Sequence, residues 1–175
     1  MEPGNAQYHY KMVYQTSMTK EAVIKQIQTW QQAGQKVVLV TGVFDLLHIE
    51  HLRFLTKAKA SGDKLVVGLE SDARVKSIKG HERPINSQAI RLEQMEALKS
   101  VDLVFILPEV FSNQVAWEQL IATLKPDIYA VSSHTSFLAN KRAICQKFGV
   151  TFTIVHQHNP KFSSSLLLAK ITNLP

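Results

Sequence analysis

The segment Val37-Val38-Leu39-Val40-Thr41-Gly42-Val43-Phe44-Asp45-Leu46-Leu47-His48-Ile49-Glu50-His51 opens on four apolar residues, breaks at a glycine and ends on two histidines three apart. The run from Val37 to Val40 is short, continuous and rich in β-branched side chains, the pattern of a strand buried on both faces. The residues after Val40 do not make a dinucleotide-binding turn, which needs three glycines in a G-x-G-x-x-G spacing, and they lack the Gly-Lys-Ser/Thr of a Walker loop. His48 and His51 fall where a helix begins. Positions i and i+3 share a helix face, so both imidazoles can point at one ligand. The free backbone N–H groups of a helix start favour an anion in the same place. Together these features make a phosphate site.

Working outward, the chain alternates strand and helix. Upstream, Thr19 reads as an N-cap, with Glu21 in the first turn and Val23, Ile24, Ile27 and Trp30 at helical spacing until Gly34. Downstream, Leu52, Leu55 and Ala58 predict one apolar helix face closed by Gly62-Asp63, and 65–69 predicts the second strand. The polar stretch from Ser71 to Pro84 is long for a simple connection. Asn86 or Ser87 caps a helix carrying Leu92, Met95 and Leu98. A strand over 101–107, a helix marked by Trp117, Leu120, Ile121 and Leu124, a strand over 128–131, a helix from about 136 to 148, a strand over 150–155 and a helix from about 164 to 172 complete the pattern. Five apolar strands alternating with helices predict an α/β fold: a Rossmann-like, doubly wound sandwich with a five-stranded parallel sheet and helices on both faces. Ligands of such sheets bind outside the carboxyl ends of the strands. Residues 1–17 are polar and aromatic without a period and read as an N-terminal tail or arm; 18–175 read as a single domain.

Composition narrows the functional classes. The chain has 175 residues, 45% of them hydrophobic and 19% charged, which suits one well-packed globular domain. Its single cysteine, Cys145, excludes an internal disulfide and fits a reducing, cytoplasmic setting. No apolar run approaches the roughly 18 residues of a membrane helix, and the first 15 residues lack a secretory apolar region. The net charge of +6 favours anionic partners. Charge alone does not choose among nucleic acid, a membrane surface and small phosphorylated compounds, but the basic residues are scattered, with no run of five or six, so a nucleic-acid tail is not indicated and neither nucleic acid nor a membrane is expected as a partner.

Gly42-Val43-Phe44-Asp45-Leu46-Leu47-His48 with His51 resembles the G-x-F-D-x-x-H…H signature of the nucleotidyltransferase-like superfamily, in its cytidylyltransferase and phosphosugar adenylyltransferase branch. The likeness continues through Gly62-Asp63, Ser71-Asp72, Lys79-Gly80, Arg83-Pro84-Ile85-Asn86 and Arg91, and ends at Phe162-Ser163-Ser164-Ser165. It covers the chain from about residue 36 onward. The resemblance implies a nucleotidyltransferase that moves a nucleoside monophosphate from ATP or CTP to a sugar phosphate or polyol phosphate and releases pyrophosphate. It implies that His48 and His51 hydrogen-bond the triphosphate and its transition state, and that Lys79 neutralises phosphate charge. Ser163, Ser164 and Ser165 would cradle the β- and γ-phosphates, with Arg91 a further nucleotide contact. Thr41, Gly42, Val43 and Phe44 would shape the nucleotide pocket and Asp45 would orient the loop. Magnesium would bridge the phosphates, with no side chain assigned as its ligand. Relatives often dimerise, so a homodimer with the arm across its partner is a further expectation.

The chain departs from the pattern at three places. Glu50 stands where the family carries glycine between the histidines. Val131-Ser132-Ser133-His134-Thr135 replaces a glycine-rich run with an acidic residue, and Lys161 replaces a glycine before the terminal serines. Glu50 and the 131–135 segment keep open a second reading, a nucleotide-binding sensor or scaffold with weakened catalysis. Several residues also carry structural readings: Arg83 as a loop anchor, Trp30 and Trp117 as core, Ser163–Ser165 as a helix cap.

Overall fold

A computed structural model describes residues 19–109, 114–162 and 168. The N-terminal arm, the serines at 163–165 and the helix expected from about 164 lie outside these residues, save Leu168, which is helical. The elements in order are α1 (Lys20–Gln32), β1 (Val37–Gly42), α2 (Ile49–Lys59), β2 (Lys64–Leu69), α3 (Asp72–Lys79), α4 (Gln88–Glu96), β3 (Leu103–Ile106), α5 (Gln114–Leu124), β4 (Ile128–Ser132), α6 (Leu138–Lys147) and β5 (Thr151–His156). The five strands form one sheet in the order β3-β2-β1-β4-β5, and every pairing is parallel. The order reverses at β1, so the connections leaving the carboxyl ends of β1 and β4 diverge there and leave a crevice.

Successive strand residues point to opposite faces, and the core divides accordingly. Val37 and Leu39 of β1, Val66, Phe105 and Tyr129 pack with α1, α5 and α6 through Val23, Ile27, Leu120, Ile121 and Ile144. Val38 and Val40, with Leu65, Val67, Val104 and Ala130, pack with α2 and α4 through Phe54, Leu55, Ala58 and Met95. Both sheet faces are therefore covered, as the uninterrupted apolar strands require.

Capping fixes the helix starts. The hydroxyls of Thr19, Ser71 and Ser87 accept from the backbone N–H groups of Ala22, Arg74 and Ile90 at 3.3, 3.2 and 3.4 Å. Ser87 is thus the cap of α4, and Asn86 is used elsewhere. After α1 the chain turns through Gly34 at φ +76°, a conformation that glycine takes without strain.

The stretch from 71 to 84, long for a simple connection, contains α3, which buries only Val75 against the core and so shows no apolar stripe. Two expectations are corrected. On α2 the inner face holds Glu50 and Phe54 with Leu55 and Ala58, while Leu52 is 38% exposed. The third strand starts at Leu103, because Asp102 turns its carboxylate back to accept from Leu65 N at 2.7 Å.

Candidate functional site

The loop after β1 is built to hold a fixed shape. A Cβ on Gly42 would come within 2.7 Å of the Phe44 ring, so glycine there lets Phe44 fold back over the strand end. Phe44 takes φ +47° and is 5% exposed, with its ring edge-on to His51 at 5.3 Å. Asp45 is 1% exposed and ties this loop to the 83–86 segment. It accepts from Ile85 N at 3.0 Å, Asn86 N at 2.8 Å and Arg83 Nε at 2.8 Å, and Asn86 Nδ2 donates back to the Asp45 carbonyl. Burial pushes this carboxyl up, but the two backbone donors and Arg83 outweigh it and hold Asp45 below the ordinary carboxylate range.

Arg91 stands behind the loop. Its side chain is fully buried and donates to Val43 O at 2.7 Å, Asn86 O at 3.1 Å and Asp72 Oδ1 at 2.8 Å. It lines neither of the two cavities at the site, and its guanidinium fastens β1's loop to α3 and α4 rather than facing a ligand.

His48 caps α2 in an extended conformation, and its ring stacks on His51 at 3.8 Å. His51 is driven down to about 4, chiefly by burial, then by His48 and Lys79, against a backbone hydrogen bond involving Leu46. Burial, with His158 adding to it and Glu50 opposing, also lowers His48. Both imidazoles are therefore mainly neutral at pH 7. Burial and Arg83 depress Lys79, with Asp45 opposing.

The two cavities open side by side here. The larger, about 630 Å³, reaches from His51 and Lys79 past Glu70 and Arg74 to Trp117 and Lys141. The smaller, about 250 Å³, runs from His48, His51 and Lys79 to His156 and Phe162. Thr41, Gly42 and Val43 line both, and Phe44 lines the smaller one. The structure thus brings together Thr41, Gly42, Val43, Phe44, His48, His51 and Lys79, sets Asp45 and Arg91 behind them as braces, and leaves the serines at 163–165 outside the described residues.

Several lining residues carry no motif signal in the sequence. Glu70 is pushed up to about 7 by burial, against Arg74, Lys141 and Arg91, and its Oε2 has no hydrogen-bond partner among the described residues. Lys141, brought down to about 8 by burial, donates to Thr135 at 2.9 Å and lies 4.5 Å over the Trp117 ring. Trp117 is both core and cavity wall. His134, from the unusual 131–135 segment, stacks on His158 at 4.3 Å and lines both cavities. Glu50 does not stand unpaired beside the histidines. Its carboxylate accepts from Arg53 at 2.6 Å and lies 2.9 Å from His156 Nε2. The Arg53 bond holds Glu50 below the usual carboxylate range; burial opposes and His156 adds to the lowering.

Among the described residues no three His, Cys, Asp or Glu side chains converge as a metal cage, and no helix is long and apolar enough to cross a membrane.

This sheet order, with a paired histidine at the start of the helix after β1, defines an α/β nucleotidyltransferase-like fold. The family model described as cytidylyltransferase-like matches residues 39–170, and the chain belongs to that family. It is 41% identical over 111 residues to the bifunctional protein HldE of Wolinella succinogenes, covering 63% of this chain and 22% of that protein. With HldE of Helicobacter pylori strain G27 it shares 39% over 147 residues, 84% of this chain and 30% of that one. The chain therefore spans less than a third of the length of these relatives. Among solved structures, the lipopolysaccharide core biosynthesis protein of Thermoplasma volcanium superposes with a TM-score of 0.58 at 31% identity, covering 72% of this chain and 98% of that one. Pantothenate synthetase of Thermus thermophilus shares the fold at 16% identity and a TM-score of 0.55, covering 81% of this chain and 65% of that one.

Proposed function

We propose that this chain transfers a nucleoside monophosphate from ATP or CTP to a phosphorylated sugar or polyol, with release of pyrophosphate. The carrying observation is the stacked His48–His51 pair at the start of α2, with His51 and Lys79 in the wall shared by the two cavities and His48 in the smaller one. In-line displacement at phosphorus needs positioning and neutralisation of charge more than covalent chemistry. One cavity takes the nucleotide and the other the acceptor, so the acceptor phosphate meets the α-phosphate at the shared wall. The neutral imidazoles donate hydrogen bonds there, and arriving phosphate raises their basicity, strengthening the contact as charge develops. Lys79, Arg74 and Lys141 supply cationic charge for the acceptor phosphate.

Ser163, Ser164 and Ser165 are assigned to the β- and γ-phosphates on the strength of the sequence resemblance. Asp45 and Glu50 are occupied by arginine, histidine and backbone donors, so magnesium is taken as arriving with the nucleotide, held by its phosphates and water. The HldE relationship favours a sugar-phosphate acceptor, and a soluble, cytoplasmic homodimer fits this reading.

The test is pyrophosphate release from magnesium ATP and CTP across a panel of sugar and polyol phosphates. Turnover is expected with one nucleotide and one acceptor class. Replacing His51 by alanine should lower kcat by about 100-fold or more while leaving the fold intact by circular dichroism. Nucleotide binding without turnover across the whole panel would instead favour the sensor reading.

A further inference from the structure

β4 ends at Ser132 and β5 at His156, and two residues beyond each strand stands a histidine. The rings of His134 and His158 stack with centroids 4.3 Å apart and 18° between their planes. The backbone sets them there. Ser133 N donates to His156 O at 2.9 Å, His158 N donates to Ser133 Oγ at 2.9 Å, and His134 N donates to Ser132 Oγ at 3.3 Å. The run Ser132-Ser133-His134, which departs from the family pattern, is thus what brings the two rings together. Neither ring belongs to the apolar layers: His134 is exposed and His158 half-buried. They are held by their backbones and by each other, not by the core.

Both rings line the smaller cavity, together with His48, His51, His156, Lys79 and Glu50. The stacked pairs His48–His51 and His134–His158 are in electrostatic reach of one another, since charge on His158 acts on His48. Glu50 is the one acid among the described residues of this wall, and Arg53 and His156 take up its charge. On its other side His134 faces the larger cavity, where Arg74 and Lys141 outnumber Glu70. A wall of imidazoles with a lysine and a compensated carboxylate attracts anions, more so as its rings gain protons. Two like charges in one stack repel, so a pair takes a second proton readily only with an anion beside it. Among the described residues these side chains do not converge as a metal cage, so an anion is the ligand that the wall fits.

We propose that His134 and His158 are a second phosphate-binding pair, which grips the phosphate chain of the nucleotide in the smaller cavity alongside His48 and His51. The altered segment after β4 then serves the nucleotide site: its two serines place an imidazole where a carboxylate would repel the phosphates. Binding draws protons onto the pair, because a phosphate beside an imidazole favours its charged form. This inference deepens the transferase reading of the same site and rests on it.

Calorimetric titration of ATP, CTP and inorganic tripolyphosphate, each with magnesium, into wild type, His134→Phe, His158→Phe and the double variant tests it. Phenylalanine keeps the stack and removes the ring nitrogens. Each single variant should bind the preferred nucleotide and tripolyphosphate about tenfold more weakly than wild type, and the double variant more weakly still. Repeating the titrations at pH 7 in two buffers of different ionisation enthalpy counts the protons taken up, which should be fewer in the double variant. The corresponding glutamine variants keep an N–H donor but cannot gain a proton, so they should retain more affinity than the phenylalanine ones while losing the same uptake. Wild-type affinity and proton uptake in the double phenylalanine variant would overturn the proposal and leave the transferase reading standing. Weakened nucleotide binding with tripolyphosphate binding unchanged would also overturn it, because the pair would then meet the nucleoside. If wild type bound neither ATP nor CTP, the transferase reading itself would fall and this proposal with it.

Discussion

Glu70 closes a wall of the larger cavity with a carboxyl that titrates at about 7 instead of 4.5. Below about 4.5 it is protonated in both the folded and unfolded chain. Between 4.5 and about 7 the folded state holds the extra proton, so stability falls as pH rises through that window, by about 3 kcal/mol at most. Glu70→Gln, which imitates the protonated form, should raise Tm by several degrees at pH 8 and change it little at pH 4. Thermal denaturation across that range checks the prediction, and parallel curves for the two proteins would refute it. At this scale the sequence is legible where chemistry is consecutive. Asp45, His48 and His51 are polar exceptions inside one loop, and Lys79 closes a short motif. Glu50's partner lies 106 residues away, and nothing local in either residue announces the pair. Glu70, Arg74 and Lys141 likewise look like ordinary surface charges until the fold turns them toward one cavity.

Elements hold the site by their junctions more than by their interiors. α3 carries Lys79 at its last turn, yet it buries only Val75 and depends on the Ser71 cap and on the link between Asp72 and Arg91. Ser71→Ala should cost about 1 kcal/mol of stability, measured by urea denaturation. Arg91→Lys should cost more, about 3 kcal/mol or above, because an ammonium cannot replace the planar fork that reaches Val43 O, Asn86 O and Asp72 together. Retention of wild-type stability by Arg91→Lys would show that this clamp is dispensable. The elements with a clear period, such as β1, α1 and β4, can be read from the chain because burial writes an apolar pattern into them. α3 cannot, since its contacts are polar and made at its ends. Arg91 reads as a phosphate ligand in the sequence for the same reason: an isolated arginine near a motif carries no mark of which carbonyls it will reach.

Across the molecule, two apolar layers flank one sheet, and Cys145 lies in the layer built with α5 and α6. The thiol is 1% exposed and pushed up to about 11 by burial, with Lys141 opposing. Both burial and the scarcity of thiolate protect it. Labelling by a thiol reagent at pH 8 should therefore be slow in the native protein and complete within mixing time in denaturant; a stabilising nucleotide should slow native labelling further by favouring the closed state. Fast native labelling would mean that this layer opens locally. The parallel sheet and its two coats are legible at this scale because the strands from β1 to β4 each carry a buried apolar run, whereas the two cavities are not, since they arise where loops from β1, β2, β4 and β5 meet. That meeting has a kinetic meaning. Thr41, His51, Lys79 and His134 face both cavities, so on the proposed transferase reading the donor and the acceptor would lie in adjoining cavities and meet along their common edge. Neither needs to leave before the other enters. Initial-rate plots should then intersect in the manner of a ternary complex, and a chiral α-phosphorus should emerge inverted after its single passage from one partner to the other.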